Sequence, residues 1–134
     1  ILYIDLNKFK AINDEMGHEV GDLVLKKAAS VLLLCLRDDD TVARMGGDEF
    51  SAILPNVVSN QYLEDISRRI ISLITEGLDI GGMNFYLDIN IGIATMNNYD
   101  EPIRSFIARA DQAMYESKSN DSVNFIFADK YRTI

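Results

Sequence analysis

A chain of 134 residues, 48% hydrophobic and 25% charged with only two prolines, has the size and composition of one globular domain rather than a disordered or fibrous segment. Thirteen basic against twenty-one acidic side chains give a formal charge of −8, a field that repels nucleic acid yet admits a small anion delivered with a divalent cation. The longest apolar run, residues 31–36, is far shorter than the roughly 18 residues a membrane span needs, and no signal-like segment opens the chain, so a cytoplasmic protein is expected.

The opening run Ile1-Leu2-Tyr3-Ile4-Asp5 predicts a strand, and its start without an initiator methionine reads as a domain excised from a longer protein. Phe9, Ile12 and Met16 then recur at spacings of three and four, predicting a short helix stopped at Gly17. Asp22 is the expected N-cap of a second helix over residues 23–36, whose second half, from Val31 on, is expected to be deeply buried. Cys35, the single cysteine, falls in that half. One thiol forms neither an internal disulfide nor a cysteine metal cluster, so it reads as a core residue of a reducing compartment. The acidic stretch Asp38-Asp39-Asp40 ends the helix. Residues 41–45 and 49–54 then predict two strands of a hairpin that turns at Gly46-Gly47-Asp48.

Beyond Pro55, Leu63, Ile66, Ile70, Leu73 and Ile74 keep helical spacing up to Gly77, with Glu64, Arg68 and Arg69 outside. Phe85, Leu87, Ile89, Ile91 and Ile93 alternate with polar or small residues, predicting the longest strand of the sheet. Pro102 opens a last helix with Ile103, Phe106, Ile107, Ala110, Ala113 and Met114 as its expected buried stripe, and residues 123–127 close as a strand. The order β-α-α-β-β-α-β-α-β with one-sided helices predicts an α+β fold, a mostly antiparallel, ferredoxin-like sheet flanked by helices.

Asp5 ends the first strand, and Asp48 and Glu49 sit at the bend of the hairpin. If those strands are neighbours, three carboxylates meet at one rim of the sheet, an arrangement suited to a hard cation that phosphate oxygens complete. Taken singly, Asp5 reads as a solvated strand end and Gly46-Gly47 as an ordinary hairpin turn. His18, the only histidine, is expected to make a structural hydrogen bond in the Gly17-His18 turn, because no second base or nucleophile accompanies it.

Three strings recur together: Asp5-Leu6-Asn7-Lys8-Phe9-Lys10-Ala11-Ile12-Asn13-Asp14, then Gly17-His18 with Gly21-Asp22, then Arg44-Met45-Gly46-Gly47-Asp48-Glu49-Phe50. Across essentially all of residues 1–134 the chain resembles the GGDEF domain family of diguanylate cyclases as a single such domain, lacking the segment that precedes the first strand in that family. The resemblance implies a fold like the nucleotidyl-cyclase core and the polymerase palm. It also implies a reaction that joins two GTP molecules into cyclic di-GMP with release of two pyrophosphates. Asp5, the Leu6 carbonyl, Asp48 and Glu49 correspond to the ligands of Mg2+ or Mn2+, with Asp48 and Glu49 as the catalytic acidic pair. Asn13 and Asp22 correspond to the guanine readers, an amide and a carboxylate suited to the donors on that base. Lys10 and Lys118 correspond to phosphate contacts, and Arg37 and Asp40 to an allosteric site for the product.

One half-site holding one GTP cannot close both phosphodiester bonds, so a homodimer is implied, brought together by a linked upstream sensor domain. The chain departs from the family pattern at Lys118-Ser119-Asn120-Asp121-Ser122-Val123, where Ser122 stands in the place of a phosphate-binding arginine, and at Asn7, where a second aspartate is common. The competing expectation is a domain that binds GTP or cyclic di-GMP as a regulatory module without synthesis. A purely structural dimerisation module leaves the carboxylates and the guanine-reading pair unexplained.

Overall fold

The structure is a computed structural model and describes residues 1–128. Its elements run β1 (Leu2–Asn7), α1 (Phe9–Met16), α2 (His18–Cys35), β2 (Thr41–Gly46), β3 (Glu49–Ile53), α3 (Asn60–Thr75), β4 (Leu78–Ile80), β5 (Met83–Phe85), β6 (Asp88–Ile93), α4 (Ile103–Lys118) and β7 (Phe125–Phe127). Five strands form one sheet in the order β2-β3-β1-β6-β7, and β4 pairs with β5 apart from it. Every neighbouring pair is antiparallel except β6 and β7.

Period-two alternation in β1 divides the molecule into two layers. Leu2, Ile4 and Leu6 enter the main core with Val24, Ala28 and Leu32 of α2 and Ile66, Ile70 and Ile74 of α3. Tyr3 faces the other way and packs with Ala110 and Met114 of α4. The α4 layer lies very close to the sheet. A Cβ placed on Gly92 of β6 would come within 1.9 Å of the Ala110 carbonyl oxygen and 2.3 Å of the Met114 backbone nitrogen, so only glycine fits under this helix.

The antiparallel sheet and its flanking helices agree with expectation, and the departures have local causes. The helix expected over residues 23–36 with Asp22 as its cap begins five residues earlier, at His18, with Gly17 at the cap. Asp22 therefore lies inside α2, and His18 is an exposed first-turn residue rather than part of a turn. The second half of α2 is not wholly buried: Leu33 and Leu34 are 60% and 68% exposed, because a helix lying on a sheet buries one stripe whatever its composition. Ile103, placed in the buried stripe of α4, is 69% exposed at the helix start.

The long strand expected around residues 84–93 is cut at Tyr86 and Leu87. Its first part, β5, turns back on β4 through Gly81 and Gly82, both at positive φ (61° and 88°), the backbone that a tight hairpin requires. The Gly82 N–H donates to Asp79 Oδ1 at 2.9 Å and closes that turn. The remaining strand, β6, is buried on both faces and is no longer than β1 or β2. The closing strand is three residues, β7, rather than the five expected.

Cys35 is buried, and burial raises its thiol pKa. At pH 8 the folded protein should therefore react with a thiol-specific disulfide reagent at least about tenfold more slowly than the guanidinium-unfolded chain. Equal rates would place the thiol at the surface.

Candidate active site

β1 brings Asp5 to the rim of the sheet in register with Glu49 on one side and Asn90 on the other. Asp5 is only 3% exposed. The Leu6 N–H donates to the Asp48 carbonyl at 3.0 Å and ties the β2-β3 bend to the end of β1. The two aspartates thus meet once β1 and β3 pair. Burial first, then the negative charge of Asp5, push the Asp48 carboxyl pKa above the ordinary carboxylate value. When both are ionised the two carboxylates offer each other only acceptors, and Asp5 Oδ1 is buried without a hydrogen-bond partner.

The cation that does meet Asp5 is Lys118, from the last turn of α4, whose ammonium pairs with Asp5 Oδ2. That hydrogen bond raises the lysine pKa. Three buried or half-buried polar groups hold the backbone beneath it. Asn90 Nδ2 donates to Ser117 Oγ at 2.7 Å, Ser117 Oγ donates to the Val123 carbonyl at 3.3 Å, and Asn7 Nδ2 donates to Asn90 Oδ1. Beside this relay a polar cavity of about 630 Å³ opens between Asn7, Asn90, Lys118, Asn120 and Asn124.

Glu49 has a partner of its own: Tyr3 Oη donates to its Oε2 at 3.0 Å. Burial, and after it this bond, push the Tyr3 phenol up to about 12. The expected meeting of three carboxylates is therefore a meeting of two, and among the described residues no three acidic, histidine or cysteine side chains form a ready-made cation cage. The Asp5–Asp48 pair nonetheless fits a hard divalent ion. An orphaned buried carboxylate oxygen faces a second carboxylate, and magnesium ordinarily fills its remaining positions with water and phosphate.

On the α1 side, Asn13 Oδ1 is also buried without a partner. It lies against Gly21 of α2, where a Cβ would stand 1.7 Å from that oxygen. Asp22 follows Gly21 and lines a groove of about 480 Å³ with Lys26, Arg44 and Phe50. Lys10 is exposed in the first turn of α1. Ser122 is exposed in the loop after α4, its N–H bonded to Asn120 Oδ1 at 3.1 Å.

Arg37 and Asp40 close on each other. The Arg37 N–H donates to Asp40 Oδ2 at 2.8 Å and its guanidinium to Oδ1 at 3.2 Å, while the same guanidinium reaches the Pro55 carbonyl and lies 5.1 Å from the centre of the Tyr62 ring.

Sequence reasoning missed Asn90 and Ser117. Each had a visible signal: an amide midway along a strand whose neighbours Ile89 and Ile91 are apolar, and a serine four residues after Ala113, on the buried stripe of the last helix. It also missed Lys8, at positive φ before α1 and 3.0 Å from Asp88.

The chain matches the family described as "Diguanylate cyclase, GGDEF domain" over residues 1–123. It is 38% identical over 120 residues to diguanylate cyclase A of Treponema denticola, covering 90% of this chain and 32% of that protein. It is 34% identical over 125 residues to the cyclic di-GMP phosphodiesterase PdeR of Escherichia coli, covering 93% of this chain and 19% of that protein. The chain thus spans a third or less of the length of these curated relatives. Among solved structures, the GGDEF domain of TpbB from Pseudomonas aeruginosa superimposes with a TM-score of 0.87 at 34% identity, covering 95% of this chain and 74% of that one. The sheet order, the facing aspartates and this match over nearly the whole chain agree, and the chain belongs to the GGDEF domain family of diguanylate cyclases.

Proposed function

We propose that this domain condenses two GTP molecules into cyclic di-GMP with release of two pyrophosphates. The observation that carries the reading is the buried Asp5 carboxylate facing Asp48 at the rim of the sheet, two acceptors with an orphaned oxygen between strand and bend. Asp5, the Leu6 carbonyl, Asp48 and Glu49 would hold Mg2+ or Mn2+, Glu49 after leaving Tyr3. The ion, when bound, neutralises phosphate charge and makes the attacking 3′-hydroxyl more acidic.

The chain's own residues do the rest. Asn13 and Asp22 read guanine, Asn13 with the side-chain oxygen that lies against α2 without a partner. Lys10 and Lys118 bind the triphosphate, and Asp48 favours loss of the 3′-hydroxyl proton. Two domains face each other across a two-fold axis, so each nucleotide offers its hydroxyl to the α-phosphate of the other, and pyrophosphate leaves from each. Arg37 and Asp40 form the product feedback site, their mutual pair opening to receive a guanine and a phosphate of cyclic di-GMP. A linked upstream sensor domain controls the encounter. No described helix is long and apolar enough to cross a membrane, and the reading places the domain in the cytoplasm.

Ser122 supports a second reading. Without the arginine expected there the triphosphate loses a bidentate partner, and a domain so weakened would bind GTP or cyclic di-GMP as a regulator. A relative named as a phosphodiesterase is consistent with it. Incubating the full-length protein with GTP and Mg2+ and resolving products by chromatography separates the two: cyclic di-GMP supports the cyclase, and nucleotide binding without product supports the regulator.

Gly21→Ala tests the guanine reader. The new methyl needs the space of Asn13 Oδ1, and the amide can swing aside, so folding stability should change by less than about 1 kcal/mol. The affinity for GTP should nevertheless fall roughly tenfold, the value of one lost hydrogen bond to the base. Calorimetry on the folded variant reads it, and undiminished affinity would remove Asn13 from the site.

A further inference from the structure

We infer that Lys118 is the resident counter-cation of Asp5 in the nucleotide-free domain, so that a divalent ion enters by displacing its ammonium and the triphosphate receives the side chain it displaces. The inference rests on the reading that Asp5 and Asp48 hold the metal, and it concerns what occupies Asp5 before any ligand arrives.

Three observations support it. First, Asp5 is nearly inaccessible, and of its two oxygens one is paired with Lys118 while the other has no donor. An ammonium carries one charge where two facing carboxylates call for two, so the pair neutralises the site only in part. Second, an ammonium and a divalent ion on the two oxygens of one carboxylate repel each other, so the lysine bonded to Oδ2 disfavours an ion at Oδ1 and leaving relieves that repulsion. Third, the lysine can leave without disturbing the fold. Its side chain is 39% exposed and borders the 630 Å³ polar cavity, while the backbone beneath it stays fixed through Asn90, Ser117 and the Val123 carbonyl. The moving part is one flexible side chain on a rigid helix end. Metal and nucleotide then bind with positive coupling, each easing the other's entry, since one takes Asp5 from the lysine and the other gives the lysine a new anion.

The test is a Mn2+ titration of the nucleotide-free full-length protein, read by the loss of the free-ion electron paramagnetic resonance signal. Lys118→Met should bind Mn2+ about tenfold more tightly than wild type, because the competing cation is gone. Lys118→Arg should stay close to wild type, because a cation remains. Lys118→Gln carries the same expectation as methionine should the latter fold poorly. Adding Asp5→Asn to Lys118→Met should abolish the tightening. Equal Mn2+ affinity in wild type and in the folded methionine and glutamine variants, or a tightening that survives Asp5→Asn, overturns the inference. The functional reading fails separately: a wild-type protein that makes no cyclic di-GMP, beside a Lys118→Met variant that binds Mn2+ more tightly, retires the cyclase and leaves the displacement standing.

Discussion

Asp48→Asn is expected to lower cyclic di-GMP formation by at least about 100-fold while slightly stabilising the fold. The loss follows from the site proposed for the metal: an amide keeps one oxygen of the ligand but not its charge, and even residues that only orient metal ligands cost about 10- to 100-fold when removed. The gain follows from the free domain. The Asp48 carboxyl pKa is raised by burial and by Asp5, which means that its ionised form is disfavoured in the folded state. A neutral isostere removes that cost, and stability at pH 7 should rise slightly, by an amount that solvent around the half-buried carboxyl keeps small. Product chromatography and urea denaturation on the same preparation read the two effects. Full activity would remove Asp48 from catalysis, and marked destabilisation would show that its carboxylate holds the bend together.

The second large effect belongs to packing. Gly92→Ala should destabilise the domain by about 3 kcal/mol, roughly 10 °C in Tm for a chain of this size. By strand propensity alone, replacing glycine with alanine would stabilise by roughly 0.5–1 kcal/mol, so the sign of the result is decided by the space available. The methyl would stand 1.9 Å from the Ala110 carbonyl oxygen and 2.3 Å from the Met114 nitrogen, both backbone atoms that no rotamer change can move. β6 cannot retreat either, since Ile89, Ile91 and Ile93 fill the core on its other face. The helix must then lift from the sheet, taking Lys118 away from Asp5. Thermal and urea unfolding measure the loss, and a stabilised variant would show that α4 rides freely on the sheet.

Much of this was legible before any coordinates. The β2-β3 hairpin was readable because Gly46-Gly47 between two apolar alternations leaves the chain little choice. The helical stripes of α3 and α4 were readable because a 3.6-residue period records which side is dry. The α2 start was misplaced because Asp22 has the chemistry of a cap, and capping chemistry is shared by residues that serve elsewhere. The β4-β5 hairpin was hidden inside a run whose alternation continued across its end, since period two records faces but not partners. Asn90 and Ser117 were passed over because a polar residue at a buried position shows its purpose only once its hydrogen-bond partner is known.

What the sequence by itself determined is the inventory and the local geometry: an acidic residue in the first strand, which the sequence ended at Asp5 and the structure carries on to Asn7, two more at a glycine bend, an amide and a carboxylate around a helix junction, and the family these strings belong to. These are properties of neighbours along the chain. Which carboxylates face each other was decided by the pairing of β1 with β3, which joins residues more than forty positions apart. The bond between Glu49 and Tyr3 and the arrival of Lys118 from the far end of the chain were decided in the same way. Electrostatic and hydrogen-bonding energies depend on separation in space, and only the folded chain supplies it.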